Sequence, residues 1–119
     1  MYKIPKDISL NNIVGECISQ INVGVWDLQF CIGKVHFSIE SNIVIKFNGD
    51  EIGAWFPGEW PNKCFRDIIN VNAIGFEILD DAEVIIKFDN DYTIHLYDDS
   101  EQFESMQIVD NILKKTWII

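Results

Sequence analysis

Val25 to Phe47 reads VWDLQFCIGKVHFSIESNIVIKF, and three short runs within it decide the fold. Trp26, Leu28, Phe30 and Ile32 alternate with Asp27, Gln29 and Cys31. Val35, Phe37 and Ile39 alternate with His36, Ser38 and Glu40, and Ile43, Ile45 and Phe47 alternate with Val44 and Lys46. An apolar residue at every second position marks a half-buried strand, and Gly33-Lys34 and Ser41-Asn42 supply tight connections between the runs. The spacing predicts an antiparallel meander with Trp26 counted among the core residues.

On the N-terminal side, Ser9 to Gly15 predicts a helix of one or two turns with Ser9 as cap and Gly15 as stop. The run ECISQINV, which follows, is β-like. On the C-terminal side, Asn48 to Glu59 holds three of the seven glycines and one of the three prolines, and predicts a loop crossing the sheet. Pro61 opens a second helix whose Cys64, Phe65, Ile68 and Ile69 fall on one stripe. Strand periodicity then returns. Ile74, Phe76 and Ile78 point inward, Asp80-Asp81 turns, and Val84, Ile86 and Phe88 follow on the same face. After the turn Asp89-Asn90-Asp91, the inner residues Tyr92, Ile94 and Leu96 alternate with Thr93, His95 and Tyr97. The terminal VDNILKKTWII predicts a helical turn with Val109, Ile112 and Leu113 inward, then an extended tail from Thr116.

Leu10 to Glu40 matches Phe65 to Leu96 in element order at an offset near 55 to 57 residues, with VHFSI and TIHLY in corresponding slots. This hints at an internal duplication. The fold class expected is α+β: one domain over residues 1–119, mostly antiparallel sheet, closed partly into a barrel or folded as a sandwich, with two short helices.

The chain has 119 residues and a formal charge of −10, with 48% apolar residues, so its acidity does not indicate disorder. That charge is concentrated. Between Glu77 and Glu104 ten acids stand against one base, Lys87, whereas the rest of the chain has nine acids and eight bases. A local negative field disfavours nucleic acid and anionic membrane surfaces, and it steers basic partners inward. The three cysteines, Cys17, Cys31 and Cys64, have no C-x-x-C spacing and predict reduced thiols. No run approaches a signal sequence or a membrane span, so a cytoplasmic location is expected.

The residues predict no catalytic set, no cofactor and no metal site. His36 and His95 suggest an acid/base pair or a ligand pocket by their matching slots, but no nucleophile accompanies them. The acidic turns lack the loop spacing and glycine of a calcium-binding hand. They suit either plain solubility at the sheet edges or a protein-binding patch, and Asp89, Asp91, Asp98, Asp99, Glu101 and Glu104 are the candidate contacts of such a patch, with His95 and Tyr97 on the outer side of the strand between them. Trp55, Phe56 and Trp60, in or beside the glycine-containing loop, either cap the open end of the sheet or are candidate aromatic anchors.

The run Trp60-Pro61, the helix CFRDII and the segment EVIIKFDNDYTIHLYDDSEQFESMQI resemble a group of small bacterial immunity proteins encoded beside contact-dependent growth inhibition and other polymorphic toxins. The likeness rests on F-x-N-x-x-x-I (Phe88, Asn90, Ile94) and on D-D-S-x-x-F-E-S (Asp98, Asp99, Ser100, Phe103, Glu104, Ser105). It covers about the C-terminal half, and Asp91 stands where glycine is usual. The resemblance implies a cytoplasmic protein that binds the C-terminal domain of its own system's toxin, commonly a basic nuclease, and occludes it through an acidic edge.

Overall fold

The computed structural model describes residues 4, 5, 7–99 and 104–119. Its strands are β1 Ile18–Val23, β2 Leu28–Ile32, β3 Val35–Ile39, β4 Ile43–Phe47, β5 Asp50–Trp55, β6 Ala73–Leu79, β7 Glu83–Phe88, β8 Tyr92–Tyr97, β9 Met106–Asp110 and β10 Lys115–Ile118. They form two antiparallel sheets of five strands, in the orders β1-β2-β3-β9-β10 and β5-β4-β8-β7-β6. Leu28, Phe30, Phe37 and Ile108 of the first sheet share one buried cluster with Ile45, Val84, Ile86 and Ile94 of the second. At its centre Phe30 stacks on Phe37 with ring centroids 4.9 Å apart.

The two sheets have the same plan. Each begins with a three-strand meander from one half of the chain, and each is completed by a hairpin from the other half. The hairpin β4-β5 leaves the first meander and pairs with β8, while β9-β10 leaves the second and pairs with β3. Backbone contacts repeat the relation. Gly15 N–H donates to Ala73 O at 2.8 Å, and Asn70 N–H donates to Ile18 O at 2.7 Å. Gly15 and Asn70 are 55 residues apart, as are Ile18 and Ala73, and both donors have positive φ, +85° and +64°. Each half carries one register slip in its first strand, between Ile18 and Ile21 and between Ala73 and Gly75. The second slip turns Ile74 outward, contrary to the alternation read from the sequence, and leaves it 57% exposed.

Several expected elements differ. Asn48–Glu59 is not a crossing loop: its first half is β5, admitted by the Asn48-Gly49 turn, whose residues both have positive φ. The C-terminal segment is a strand pair rather than a helical turn, and Ile112 and Leu113 lie exposed in the connection. Asp110 decides this, because its carboxylate Oδ1 accepts the N–H groups of Ile112 at 2.8 Å and Leu113 at 2.9 Å and closes the turn. Both short helices are 3-10 turns, Asn11–Ile13 and Lys63–Ile68. Ser9 is not a cap, since Leu10 holds that position without a side-chain bond, whereas Asn62 caps the second turn by accepting from Cys64 N–H at 2.9 Å.

Candidate functional site

The acidic residues chosen from sequence do not form one edge. Their strand, β8, is the middle of its sheet, between β4 and β7. Asp89 and Asp91 precede it and Asp98 and Asp99 follow it, so six strand residues at about 3.3 Å each place the two groups about 20 Å apart. Glu101 lies outside the described residues. Trp55 is fully buried, with its indole N–H donating to Glu59 O at 2.9 Å, so it cannot be a contact.

His36 and His95 do not share a pocket. They occupy β3 of the first sheet and β8 of the second, each on the face turned away from the core. Their slots also differ. Phe30 opposes Phe37 in one meander and Ile86 opposes Ile94 in the other, which aligns VHFSI with YTIHL and pairs His36 with Thr93. His95 is 6% exposed; its Nδ1 bonds the carboxylate of Glu83, and its Nε2 lies 2.8 Å from the Thr93 hydroxyl. That order of hydroxyl, imidazole and carboxylate resembles a hydrolase relay. Here the ring is buried and both nitrogens are engaged within the sheet, so the three groups satisfy one another. Tyr97 stacks beside His95, 6.5 Å between centroids, and burial together with the charges of Glu83 and Glu51 holds its hydroxyl above the usual pKa. On the first sheet, His36 Nδ1 is 3.2 Å from the exposed Cys31 thiol. Labelling with a disulfide reagent is expected to modify the exposed Cys31 ahead of the half-buried Cys17 and the buried Cys64.

The acids do gather at one end of the molecule, in a set that the sequence order hides. Asp98 N–H donates to Ala82 O at 2.8 Å, and the Asp98 carboxylate accepts from the Ser105 hydroxyl at 2.7 Å. Ser105 O in turn accepts Glu40 N–H at 2.8 Å. Partial burial, then the charges of Glu104 and Asp27, hold the Glu40 carboxyl above its ordinary pKa, as expected where like charges crowd. Asp80, Asp81, Asp98, Asp99, Glu104, Glu40 and Asp27 therefore belong to one electronegative end. Among the described residues none of them has a cationic partner. No group of three His, Cys, Asp or Glu side chains among those residues is placed to hold a metal ion.

Beside these acids stands an aromatic surface. Gly24 N–H donates to Asp27 O at 2.8 Å, which makes Val25-Trp26 the two-residue tip of the β1-β2 hairpin. Such tips ordinarily carry Asn, Asp or Gly; here Val25 is 72% exposed and Trp26 68%. The Trp26 ring lies over Gly58, where an added Cβ would approach it to 3.1 Å, and Trp60 beside it is 82% exposed. Comparison with protein-family models, curated proteins and solved structures finds no match. The reading of this surface therefore rests on its chemistry.

Phe56 and Trp60 are the aromatic anchors of the sequence reading that remain at the surface. Trp26 was hidden by the period-two count from Val25, which extends the strand past its true start at Leu28. The available signal was Gly24 followed two residues before the first inner leucine by two bulky side chains, a pattern equally compatible with a turn. No helix among the described residues is long and apolar enough to cross a membrane.

Proposed function

We propose that this chain is a non-catalytic binding protein that captures and neutralises a basic protein domain, as the immunity proteins resembled by its C-terminal half do with their toxins. The observation that carries this reading is a hairpin tip of Val25 and Trp26, exposed beside Trp60 and adjoining an end of carboxylates that have no ionic partner among the described residues. Large aromatics surrounded by charge are the usual anatomy of a specific interface: the rings supply affinity at the centre, and the rim supplies steering and selectivity. A basic nuclease domain fits that sign, since the lysines and arginines that hold phosphates would meet Asp98, Asp99, Glu104, Glu40 and Asp27. Occlusion of such a surface blocks the partner without any chemistry in this chain. A cytoplasmic setting agrees with three unbridged cysteines.

The test is coexpression with the product of the neighbouring reading frame, followed by kinetics of any complex that forms. Asp98→Asn with Asp99→Asn is expected to lower the association rate about tenfold at low salt, a difference that narrows at physiological ionic strength. Trp26→Ala and Trp60→Ala should each speed dissociation at least tenfold. Absence of a complex, or a complex indifferent to all four changes and to salt, would sink the reading.

A further inference from the structure

A second surface has the opposite electrostatic sign and a different shape. Between β1 and the segment that follows Trp60 runs a groove of about 320 Å³. Ile21 and Val23 form one wall, Phe65 and Ile69 the floor, and Trp60 the lip. Phe65 is 3% exposed, so the floor is firmly packed, whereas the Trp60 ring is largely bare.

Lys63 and Arg66 line the same groove. Their placement follows from the local helix: a 3-10 turn has three residues per turn, so positions three apart lie one above the other. Cys64 and Phe65 turn inward on that turn, leaving both cations on the open side. Asn62 uses its side-chain oxygen on Cys64 N–H and keeps its NH₂ group as a further donor in the lining. Among the described residues no carboxylate lines the groove, although the chain has 19 acids against nine bases. The nearest acid in sequence, Asp67, has its carboxylate 3.1 Å from the Tyr92 hydroxyl. Among the described residues neither Lys63 nor Arg66 has an ionic partner.

We infer that this groove binds a small amphiphilic carboxylate, with a flat apolar body of about ten carbons lying on Phe65 and Trp60 and its carboxylate held by Lys63 and Arg66. The volume falls at the lower end of small-ligand sites. The apolar walls remove water from one side of the two cations, which strengthens their hold on an anion. Guanidinium geometry matches a carboxylate in two parallel hydrogen bonds, and the ammonium adds a point charge. The groove shares Trp60 with the proposed capture surface, whereas Lys63 and Arg66 belong to the groove and not to that surface.

The experiment titrates the intact chain with 2-naphthoate, read by calorimetry and by the quenching of indole emission. One saturable site is expected, with the neutral 2-naphthalenemethanol and with acetate each at least tenfold weaker. Lys63→Ala combined with Arg66→Ala should weaken naphthoate at least tenfold. Both side chains are exposed, so the melting curve should not change, and capture of the basic domain should survive. Ile21→Asp should abolish naphthoate binding by charging the apolar wall. Equal affinity for the neutral analogue, an unaffected double variant or lack of saturation would overturn the inference. So would an acidic aromatic peptide that binds where naphthoate does not, because the site would then serve a protein. Loss of partner capture in the double variant would also overturn it, since groove and capture surface would then be one site.

Discussion

Cutting the chain after Gly58 is expected to leave two fragments that are unfolded apart and fold only when mixed. The first fragment contains β1 to β5 and the second β6 to β10. Neither can complete a sheet, because β4-β5 belongs beside β8 and β9-β10 belongs beside β3. A lone first fragment would leave the outer edge of β3 unpaired, and Phe30, Phe37 and Ile39 would lose Ile108, Val84 and Ile86 from their shared core. The hairpin it retains cannot persist in water without a sheet to join. The cut falls in an exposed stretch, since Phe56, Gly58, Glu59 and Trp60 all lie at the surface, so the effect is one of connectivity and not of damage at the cut. Circular dichroism should show disordered spectra for each fragment and a cooperative melt for the equimolar mixture. A cooperative, monomeric transition in either fragment alone would contradict the exchange of hairpins.

Asp110→Ala is expected to destabilise the folded chain by about 2–3 kcal/mol, the cost of leaving donors to a charged group without an acceptor. The carboxylate is fully buried. Besides the N–H groups of Ile112 and Leu113, it accepts from Asn12 Nδ2 at 2.9 Å, which ties the first 3-10 turn to the end of β9. Burial acts to raise its pKa, but the bonds from Leu113, Asn12 and Ile112 outweigh that and hold it below the ordinary aspartate value. A depressed pKa means that the folded chain binds this proton less readily than the unfolded one. Its contribution to stability is therefore present above the unfolded value of about 3.9 and is lost as pH falls through the folded value below it. Urea unfolding at pH 7 should show the full difference between the wild type and Asp110→Ala, and the difference should begin to shrink near pH 4 and go on shrinking as pH falls through the lower, folded value. Asp110→Asn should fall between them, because it keeps an acceptor for the turn but sets an NH₂ group against Asn12. A constant difference across that range would deny the charge its role.

Much of the fold can be read directly from the chain, for a physical reason visible in β2, β3 and β8. Where one side of a strand is buried and the other wet, alternation records the facing residue by residue, and Phe30, Phe37 and Ile94 lie inside as their positions predict. The reading fails where that condition lapses. Trp26 continues the alternation but belongs to a hairpin tip, and Ile74 breaks it at a register slip that no side chain announces. Asp110 turns a helical-looking segment into a hairpin through bonds to groups two and three residues on, which periodicity does not weigh.

The candidate binding face shows the same division. The order of residues alone determined that this chain is strongly acidic and that its acids crowd between Glu77 and Glu104, and it hinted that the meander recurs after about 55 residues. Which acids act together was decided only by the fold. Asp89 and Asp98 are neighbours in the sequence window but stand at opposite ends of β8, while Asp27 and Glu40 join Glu104 from the other half of the chain. The exchange of hairpins brings them there, and so does the exposure of Trp26 beside Trp60. Charge and periodicity are properties of short segments and survive in the sequence. Proximity across two sheets is set by pairings between strands from opposite halves of the chain, and it exists only once those strands have met.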